Sequence, residues 1–484
     1  MKKRKQKQSI FKNINFYFIA IMVLASIILA VKLITLGILP TKYLIPVLVV
    51  LLLLCGLMYL LLFSKRINKF NQILGKIMCV LLSVLLIVAN VYIFKYGDTI
   101  GSISGADTQT SEISVIVLKE DQAKSLKDIK GKTIGIQKVI DQDNTSYALN
   151  KIKEETGAKA KTVDFTSYKD QVQGLYDKDV RAIVLNEFAR KTIEEDRANF
   201  SKETKVLKTF KRSVKVKETG KKVSVTKDPF TVFISGIDTY GPVSTVSRSD
   251  VNMVMTVNPK TKQILLTSIP RDFYVPFSCL NGTLDKLTHA GIYGVECSMG
   301  TVGNLLDTEI NYYGRVNFSS LVTIINALDG VVVNNPVAFS DGTYNFAAGD
   351  IYLNGDEALA FSRDRYHQAG GDRGRGKNQM RVITGIINKA ISSKIITNYS
   401  GIMSAISGSF ETSMSSGDVN SLVQMQLDDM SGWNITQISV DGTGGTDFAY
   451  SLGDYAYVMY PTQATVDNAK RMIDQVENGE TPTE

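Results

Sequence analysis

The chain has 484 residues, which is too long for one ordinary domain and predicts two or three. Its formal net charge of +8 favours a phosphate-rich or membrane-bound partner, because basic proteins attract anionic polymers and surfaces. Two His and four Cys in the whole sequence argue against a classical zinc site.

The N-terminal hundred residues have a membrane-like composition. Residues 1–13 are basic and contain no carboxylate, and apolar runs follow at residues 16–39, 43–63 and 77–94. Each run is about long enough to cross a ~30 Å hydrocarbon core as a helix. The pattern does not match a cleavable signal peptide, which has one short apolar region and a cleavage site. We therefore predict three transmembrane helices within residues 1–96.

Basic residues between the apolar runs predict the orientation. The N-terminus and the loop at residues 64–76, which includes Lys65 and Arg66, are positively charged, whereas the connection at residues 40–42 is almost neutral. The positive-inside rule places the two basic segments in the cytoplasm. Three crossings then place the chain after about Lys95 outside the cell, as a multi-pass protein of the plasma membrane.

Cysteine pairing stays open at this stage. Cys55 and Cys79 lie within apolar runs, which leaves Cys279 and Cys297 in the rest of the chain. An extracellular location would allow these two to form a disulfide, and two buried thiols are the alternative.

Residues 97–111 are rich in Gly, Ser, Thr and Asp and predict a linker. Beyond it, strand and helix patterns alternate, which indicates a small α/β accessory domain over residues 105–215 with a mostly parallel sheet. The predicted strands are 114–118, 133–137, 161–165 and 182–185, and the predicted helices are 144–156, capped by Asn144 or Thr145, and 168–176. We find no ligand-binding pattern in this domain, so a spacer or docking module is favoured. The lysine-rich segment 206–227 predicts an exposed hairpin or linker.

Charged residues then follow at the ends of apolar strands. The first strand ends at Asp238. The second begins at Arg248 and Asp250, and the third ends at Arg271. Open α/β sheets form their sites at strand ends. Carboxylates there are hard oxygen donors suited to a Mg²⁺ ion that also holds phosphate, and arginines neutralise a pyrophosphate.

A basic, glycine-broken segment covers residues 361–381, with the sequence FSRDRYHQAGGDRGRGKNQMR. Its cations are Arg363, Arg365, Arg373, Arg375, Lys377 and Arg381. Guanidinium groups bind phosphate oxygens bidentately, so a loop of this kind predicts an anion site. A solvated basic loop is the alternative.

Several colinear motifs in residues 228–461 resemble the LytR–CpsA–Psr family of Gram-positive bacteria. They are SGIDT (235–239), SRSDVNMVMTVNPKTKQILLTSIPRD (247–272), DKLTHAGIYG (285–294), INYYGRVNF (310–318), LNGDEALAFSRDR (353–365), DRGRGKNQ (372–379) and GWNITQISVDGTG (432–444). With three membrane runs and a small domain before them, the chain looks most similar to the streptococcal capsule branch. The stretch SLKDIKGKTIGIQ is also similar to one lobe of extracellular solute-binding proteins.

The resemblance implies an α/β catalytic domain over residues 228–477, with α-β-α layers around a central mixed sheet. It also implies a phosphotransferase at the outer membrane face. The expected donor is capsular polysaccharide linked to polyprenyl pyrophosphate, the acceptor is peptidoglycan, and the product is a phosphodiester.

Family roles transfer to matching positions. Asp238 and Asp250 would hold Mg²⁺, with Mn²⁺ as the alternative ion, and either could help to deprotonate the acceptor; Arg271 completes the implied catalytic set. The implied pyrophosphate-binding residues are Arg248, Arg271, Lys286, Arg363, Arg365, Arg375 and Gln379. Asn378 is a departure, because many members have Arg before this Gln.

The polyprenyl chain needs an apolar slot, for which the helical patterns at residues 316–327 and 380–391 are candidates; plain core is the alternative. His289 and His367 have no Ser or Cys nucleophile motif nearby, which disfavours catalysis by either.

A regulator of capsule synthesis is the alternative function, acting through DNA or through contact with the synthesis machinery. The predicted topology argues against nucleic acid, because the cytoplasmic segments are too short to form a DNA-reading domain.

Overall fold

A computed structural model describes residues 13–64, 67–216, 220–237, 242–368, 370–392, 402 and 405–483. Asp238, the basic residues 1–12, and Lys65 and Arg66 lie outside the described residues. The chain divides into two compact units. The first contains Met1–Ser104, Ile391–Ser407 and Ser415–Ser431, and the second contains Gly105–Ala390, Gly408–Met414 and Gly432–Glu484.

Helices and strands are labelled in chain order. The helices are α1 (Ile14–Leu36), α2 (Thr41–Phe63), α3 (Lys69–Ile103), α4 (Gln142–Thr156), α5 (Tyr168–Tyr176), α6 (Arg190–Asp196), α7 (Phe200–Glu203), α8 (Leu287–Ala290), α9 (Val295–Leu306), α10 (Phe318–Ala327), α11 (Gly355–Arg363), α12 (Gly371–Ala390), α13 (Ser416–Asp429) and α14 (Gln463–Glu477). The strands are β1 (Thr108–Leu118), β2 (Thr133–Gln137), β3 (Lys161–Phe165), β4 (Ala182–Asn186), β5 (Thr204–Lys215), β6 (Phe230–Ile237), β7 (Ser249–Asn258), β8 (Gln263–Ile269), β9 (Tyr274–Pro276), β10 (Leu284–Lys286), β11 (Tyr312–Asn317), β12 (Val331–Asn335), β13 (Phe339–Ser340), β14 (Asn345–Phe346), β15 (Gly349–Leu353), β16 (Phe410–Thr412), β17 (Asn434–Ser439), β18 (Gly442–Ala449) and β19 (Asp454–Pro461).

The first unit is built on three apolar helices. α1 and α2 have 23 residues each and α3 has 35, and 18-residue windows within them have mean hydropathies of 2.7, 2.9 and 2.7, so they are long and apolar enough to cross a membrane. Met22, Met58 and Cys79 are buried where the helices pack together. Buried Asn90 donates to the carbonyl oxygen of Ala25 at 3.0 Å, so a polar side chain joins α3 to α1. These helices support membrane anchoring.

Helix α13 belongs to the same unit. Its Asn420 is buried, accepts a hydrogen bond from the Tyr96 hydroxyl at 2.6 Å and donates to the Leu36 carbonyl oxygen at 2.6 Å. Asp428 forms an ion pair with Lys42 at 2.9 Å. The helix therefore fastens to the end of the bundle where α1 ends and α2 begins.

In the second unit, β1–β5 form a sheet with the strand order β3-β2-β4-β1-β5. We call these strands, together with α4–α7, the small-sheet region. β2 pairs parallel with β3 and β4, whereas β1 pairs antiparallel with β4 and β5. The expectation of a mostly parallel sheet is therefore wrong. The lysine-rich segment is β5 over much of its described length, and it pairs with β1 from Thr204 to Lys215, so this part is a strand of the sheet and not the expected hairpin or linker.

The larger sheet has the strand order β16-β11-β6-β7-β8-β17. β6 with β11 and β8 with β17 are parallel pairs, and the remaining pairs are antiparallel, so the sheet is mixed. Leu265 and Ile269 of β8 pack in a core with residues of α9 and α14. Successive side chains of a strand point to opposite faces, so Ser268 points to the other face of the sheet, where it lies against Gly376 of α12. Helices thus cover both faces. We call this sheet, with α8–α12 and α14, the large-sheet region.

A disulfide joins Cys279 to Cys297 at the start of α9. It ties the loop after β9 to the helix layer that covers one face of the large sheet. The pairing that the sequence left undecided is therefore present in the structure.

Several element boundaries differ from expectation. α3 continues to Ile103 and β1 begins at Thr108, so most of the expected linker at residues 97–111 is regular structure. α4 begins at Gln142 after Asp141, which places Asn144 and Thr145 inside the helix, not at its cap. The boundaries of the three predicted domains stay a prediction.

Candidate functional site

Three strand ends meet at one edge of the large sheet. Ile237 at the end of β6 pairs with Ser249 at the start of β7, and Asn252 of β7 pairs with Ile269 at the end of β8. Because these strands alternate in direction, the end of β6, the start of β7 and the end of β8 lie together. Arg248, Asp250 and Arg271 are therefore at the same edge, and Asp238, which follows β6 in sequence, lies outside the described residues.

Asp250 and Arg271 form a buried ion pair at this edge. Arg271 Nη1 donates to Asp250 Oδ1 at 2.9 Å, and the Thr288 hydroxyl donates to the same oxygen at 3.1 Å. Burial would raise the pKa of Asp250, but the charges of Arg271, Arg248 and Lys191 outweigh burial and lower it. Asp250 is therefore an ionised carboxylate at neutral pH.

Thr288 reaches Asp250 because α8 lies beside the chain that follows β8. The Thr288 amide donates to the Arg271 carbonyl oxygen at 2.8 Å. At the other end of α8, a Cβ added to Gly291 would lie 2.6 Å from the Ser247 carbonyl oxygen, so only glycine permits this approach. Thr288 was not singled out from sequence, although it lies within the DKLTHA motif.

A second carboxylate, that of Asp272, connects Lys286 to Arg271. Lys286 Nζ is 2.6 Å from Asp272 Oδ1, and Arg271 Nε is 3.7 Å from Asp272 Oδ2. Asp272 and Lys286 are both largely buried. Asp272 holds the two cations side by side, a role that the sequence analysis did not assign to it.

A cavity of about 610 Å³ opens beside Asp250 and Arg271. α12 forms one wall of it. Four of the predicted site residues line the cavity: Asp250, Arg271, Arg375 and Gln379. Three more cations line it that the predicted binding set omits: Arg373, Lys377 and Arg381. Arg373 is also paired with Asp441, Nε to Oδ1 at 2.6 Å. The cavity is therefore strongly cationic and suits a phosphate-bearing ligand.

The basic segment is helical over most of its length, and the expectation of a loop is wrong from Gly371 onward. Gly376 explains the difference. A Cβ at this position would lie 2.7 Å from Ser268 Oγ, so the glycine lets α12 approach β8 closely. The helical spacing then places Arg375 and Gln379, four residues apart, on one face toward the cavity.

Other predicted phosphate-binding residues lie elsewhere among the described residues. Arg363 and Arg365 are exposed and are not among the residues that line the 610 Å³ cavity. The Arg363 guanidinium lies over the Phe318 ring at 4.5 Å from its centroid. Arg248 lines a second cavity of about 460 Å³, between the small-sheet and large-sheet regions.

Asn378, the departure from the family pattern, is buried behind the cavity wall. It donates to the Phe361 carbonyl oxygen at 3.2 Å and accepts from Arg381 Nη1 at 2.5 Å. The side chain therefore supports Arg381, which lines the cavity.

The side chains at this edge offer few ligands for the expected Mg²⁺. Among the described residues, no group of three or more His, Cys, Asp or Glu side chains could hold a metal ion. Asp250 is the described carboxylate in position, and the hydrogen bonds that it accepts from described side chains both go to Oδ1, so Oδ2 can take a cation. This donor set fits Mg²⁺ that takes most of its ligands from phosphate and water, as is common at phosphate sites.

The apolar helices beside the site belong partly to the core. Ile325 of α10 and Val382 of α12 are buried in one cluster with Phe346 and Phe361. Leu321 and Ile386 are only partly buried against this cluster. The second helix also begins earlier than expected, at Gly371 rather than at residue 380. The lipid slot stays a prediction.

Comparison with known proteins identifies the family. The sequence profile of the LytR_cpsA_psr family matches residues 195–473, more than half of the chain, and the chain belongs to this family. The resemblance recognised in the sequence is thereby confirmed, and the streptococcal branch stays a prediction. The profile of the DNA polymerase processivity factor family matches residues 46–185, less than half of the chain, and does not assign it to that family.

Curated relatives carry the name polyisoprenyl-teichoic acid–peptidoglycan teichoic acid transferase TagU. The Enterococcus faecalis protein is 39% identical over 246 residues, which are 49% of this chain and 80% of the relative. The protein of Bacillus anthracis (strain CDC 684 / NRRL 3495) is 36% identical over 239 residues, which are 49% of this chain and 78% of the relative. The crystal structure of B. subtilis TagU is 30% identical and covers 53% of this chain and 99% of its own, with a TM-score of 0.41, too low to carry a structural argument.

Proposed function

We propose that this chain is a membrane-anchored phosphotransferase that moves a polymer from polyprenyl pyrophosphate to peptidoglycan. Family membership and the transferase names of the TagU relatives support the reaction class. Those relatives are named for teichoic acid. Capsular polysaccharide is our proposed polymer for this chain, and a transfer assay can compare it with teichoic acid as the donor.

The observation that carries the proposal is the cationic cavity beside the Asp250–Arg271 pair. Arg271, Arg373, Arg375, Lys377 and Arg381 bring five cations to one concave surface. A pyrophosphate diester has two charged phosphoryl groups, and guanidinium forks match their oxygens in charge and geometry. A protein that only contacted other proteins would not require this arrangement.

The reaction balances with these groups. A peptidoglycan hydroxyl attacks the phosphorus that bears the sugar, an O–P bond forms, and the bridging P–O bond breaks. Polyprenyl phosphate leaves, and the sugar stays attached through a phosphodiester. Arg271 and the cations of α12 stabilise the charge that develops on the phosphoryl oxygens and on the leaving group.

The two predicted carboxylates have different parts in this scheme. Asp250 is a weak base, because the surrounding cations lower its pKa. It therefore suits a role as ligand and anchor for Arg271, and we assign acceptor deprotonation to Asp238. A Mg²⁺ ion held by Asp250 and Asp238 would supply further charge neutralisation at the phosphates.

We also propose a multi-pass arrangement with the second unit outside the cell. The positive-inside rule and the three apolar helices support it. This location brings the site to the membrane face where peptidoglycan and exported lipid-linked polymers are found.

The test uses the full-length chain in detergent with peptidoglycan fragments, and with either Mg²⁺ or a chelator. Two donors are compared, a polyprenyl-pyrophosphate capsular glycan and the corresponding teichoic acid precursor, and mass spectrometry detects the phosphodiester product. We expect Mg²⁺-dependent product from the capsular donor, lost in Asp238→Ala and Arg271→Ala and kept in Lys389→Gln, a control at the far end of α12. Product from the teichoic acid donor alone would replace the polymer, and no product from either donor would refute the transferase.

A further inference from the structure

The small-sheet region contacts the candidate site directly through α6. Thr192 of α6 accepts a hydrogen bond from Arg248 Nη1 at 3.0 Å, and Glu195, one turn later, lies 3.5 Å from Arg248 Nη2. Arg248 is nearly buried, with 9% of its surface exposed, so these contacts fix the direction of its guanidinium group. A site residue of the large-sheet region is thus held by the other region.

The backbone before Arg248 is fastened to the same region. The Thr110 amide of β1 donates to the Ser244 carbonyl oxygen at 2.8 Å, and the Val246 amide donates to the Thr110 carbonyl oxygen at 2.7 Å. This ladder ends two residues before Arg248. The small-sheet region therefore positions both the main chain that leads to Arg248 and the end of its side chain.

Lys191 of α6 adds a charge. Burial lowers the pKa of Lys191, the Arg248, Arg271 and Arg363 charges lower it further, and Asp250 opposes them. Lys191 directly precedes Thr192 on α6, and the hydrogen bond between Thr192 and Arg248 brings this turn of the helix to the candidate site. The sequence pattern of the small-sheet region did not indicate a binding role for Lys191.

The charges gathered here favour an anionic ligand. Among the described residues here, four cations, Lys191, Arg248, Arg271 and Lys286, lie with three carboxylates, those of Asp250, Asp272 and Glu195. Like charges held together repel one another, and bound phosphoryl groups relieve that repulsion.

We propose that α6 completes the transfer site: Lys191 is a further residue that binds the diphosphate, and Thr192 and Glu195 are positioning residues for Arg248. This inference rests on the proposed function and deepens it. The small-sheet region is then a part of the phosphate site, not a spacer.

The Lys191 test uses the full-length chain in detergent, with inorganic pyrophosphate and Mg²⁺ as the calorimetric probe. We expect Lys191→Met to weaken pyrophosphate binding about tenfold and Lys191→Arg to restore it, because a charged hydrogen bond is lost and then replaced. Lys202→Met, which removes an exposed lysine from α7 of the same region, should bind like the wild type. Equal binding by Lys191→Met and Lys202→Met would overturn the role of Lys191.

The positioning role is tested by transfer kinetics. Thr192→Val removes the hydroxyl that accepts from Arg248, and Thr192→Ser keeps it. We expect the valine variant to raise the KM for the lipid-linked donor several-fold with an unchanged melting temperature, and the serine variant to match the wild type. In an Arg248→Ala background, Thr192→Val should have no further effect. An additive effect in that background would overturn the positioning role.

The wild-type result separates the two proposals. Pyrophosphate binding without transfer to peptidoglycan would refute the proposed reaction and leave the Lys191 comparison decisive for α6. If the wild type does not bind pyrophosphate, the diphosphate role of α6 fails as well.

Discussion

Arg271 Nη1 donates to Asp250 Oδ1 across 2.9 Å, and this contact joins the end of β8 to the start of β7. Thr288 donates to the same carboxylate oxygen from α8. The pair therefore links two strands and one helix at the edge where the candidate site lies. One contact serves both the fold and the proposed chemistry.

Replacing Arg271 by Ala should lower both the rate of transfer and the stability of the fold. We expect transfer to fall about 10²- to 10³-fold, as when a preorganised donor to a developing oxyanion is removed. The free energy of unfolding should fall by about 3 kcal/mol, because a buried carboxylate loses its partner. Transfer assays and denaturant unfolding of the full chain in detergent measure the two effects.

The stability loss should depend on pH in a defined direction. The pKa of Asp250 is lowered in the folded wild type, so its stabilisation is present above the unfolded pKa of about 4 and is lost as pH falls through the folded pKa. The gap between wild type and Arg271→Ala should therefore narrow in acid. Arg271→Lys keeps the charge and serves as the control; a gap that widens in acid would contradict this account.

The cationic wall of α12 gives a matched pair of variants. Lys377 lines the 610 Å³ cavity, and Lys389 lies twelve residues further along the same helix, about 18 Å away. We expect Lys377→Gln to weaken pyrophosphate binding roughly 3- to 10-fold at low salt, and less at high salt because Lys377 is exposed. Lys389→Gln makes the same charge change and should have no effect. Calorimetry at two salt concentrations decides, and equal losses would show that only the total charge matters.

Asp141 in the small-sheet region should give a pH-dependent stability. Burial raises the pKa of Asp141 to about 6, although Asn186 and Asn144 each donate to it at 2.8 Å. A raised folded pKa means that the stabilisation is complete below the unfolded pKa of about 4 and is lost as pH rises through 6. We expect the region to lose about 2–3 kcal/mol across this window. Hydrogen exchange of β2 and β4 amides, corrected for its intrinsic pH dependence, measures it.

Asp141→Asn should remove that pH dependence, because the amide does not titrate. Asp143 in α4 has an 83% exposed side chain, and its charge is the smallest of the causes that shift the pKa of Asp141, so Asp143→Asn is the control and should keep most of the wild-type slope. A slope that persists in Asp141→Asn would assign the pH dependence to another group.

Parts of this fold could be predicted because local patterns determine them. β2, β3 and α5 begin and end at the predicted residues, since each has a clear apolar period and bounding turns. Strand ends also placed Arg248, Asp250 and Arg271 together, because adjacent strands bring their ends to one edge. The three apolar helices followed from length and hydropathy.

Other parts depend on tertiary contacts that a sequence does not display. Glycines in the basic segment predict a loop by propensity, but the close approach of Gly376 to Ser268 favours a helix there. β5 is rich in lysine, yet its backbone pairs with β1 over eleven residues. The contact between Thr192 and Arg248 joins residues 56 positions apart, and nothing near either one indicates the other.

Arg315 and Glu411 form a buried ion pair near the same edge of the large sheet. They face each other across β11 and β16, with Arg315 Nη1 at 3.2 Å from Glu411 Oε1, and Arg315 Nη2 also donates to the Thr245 carbonyl oxygen at 2.7 Å. Burial raises the pKa of Glu411, and the Arg315 charge opposes that rise. Arg315 is thus tied both to a carboxylate and to the segment that leads to Arg248.

Removing only one charge of the Arg315–Glu411 pair should destabilise the fold more than replacing both residues by apolar ones. Glu411→Gln leaves the Arg315 charge buried, and we expect the free energy of unfolding to fall by roughly 3–5 kcal/mol. The double variant Arg315→Met/Glu411→Leu removes both charges and should recover most of that loss, because apolar replacements avoid the desolvation of two ions. Its transfer rate should still be below the wild type, since the Thr245 contact is lost with the guanidinium. Denaturant unfolding and transfer assays on the same preparations separate the effects; a double variant as unstable as Glu411→Gln would show that the pair stabilises the fold by more than its desolvation costs.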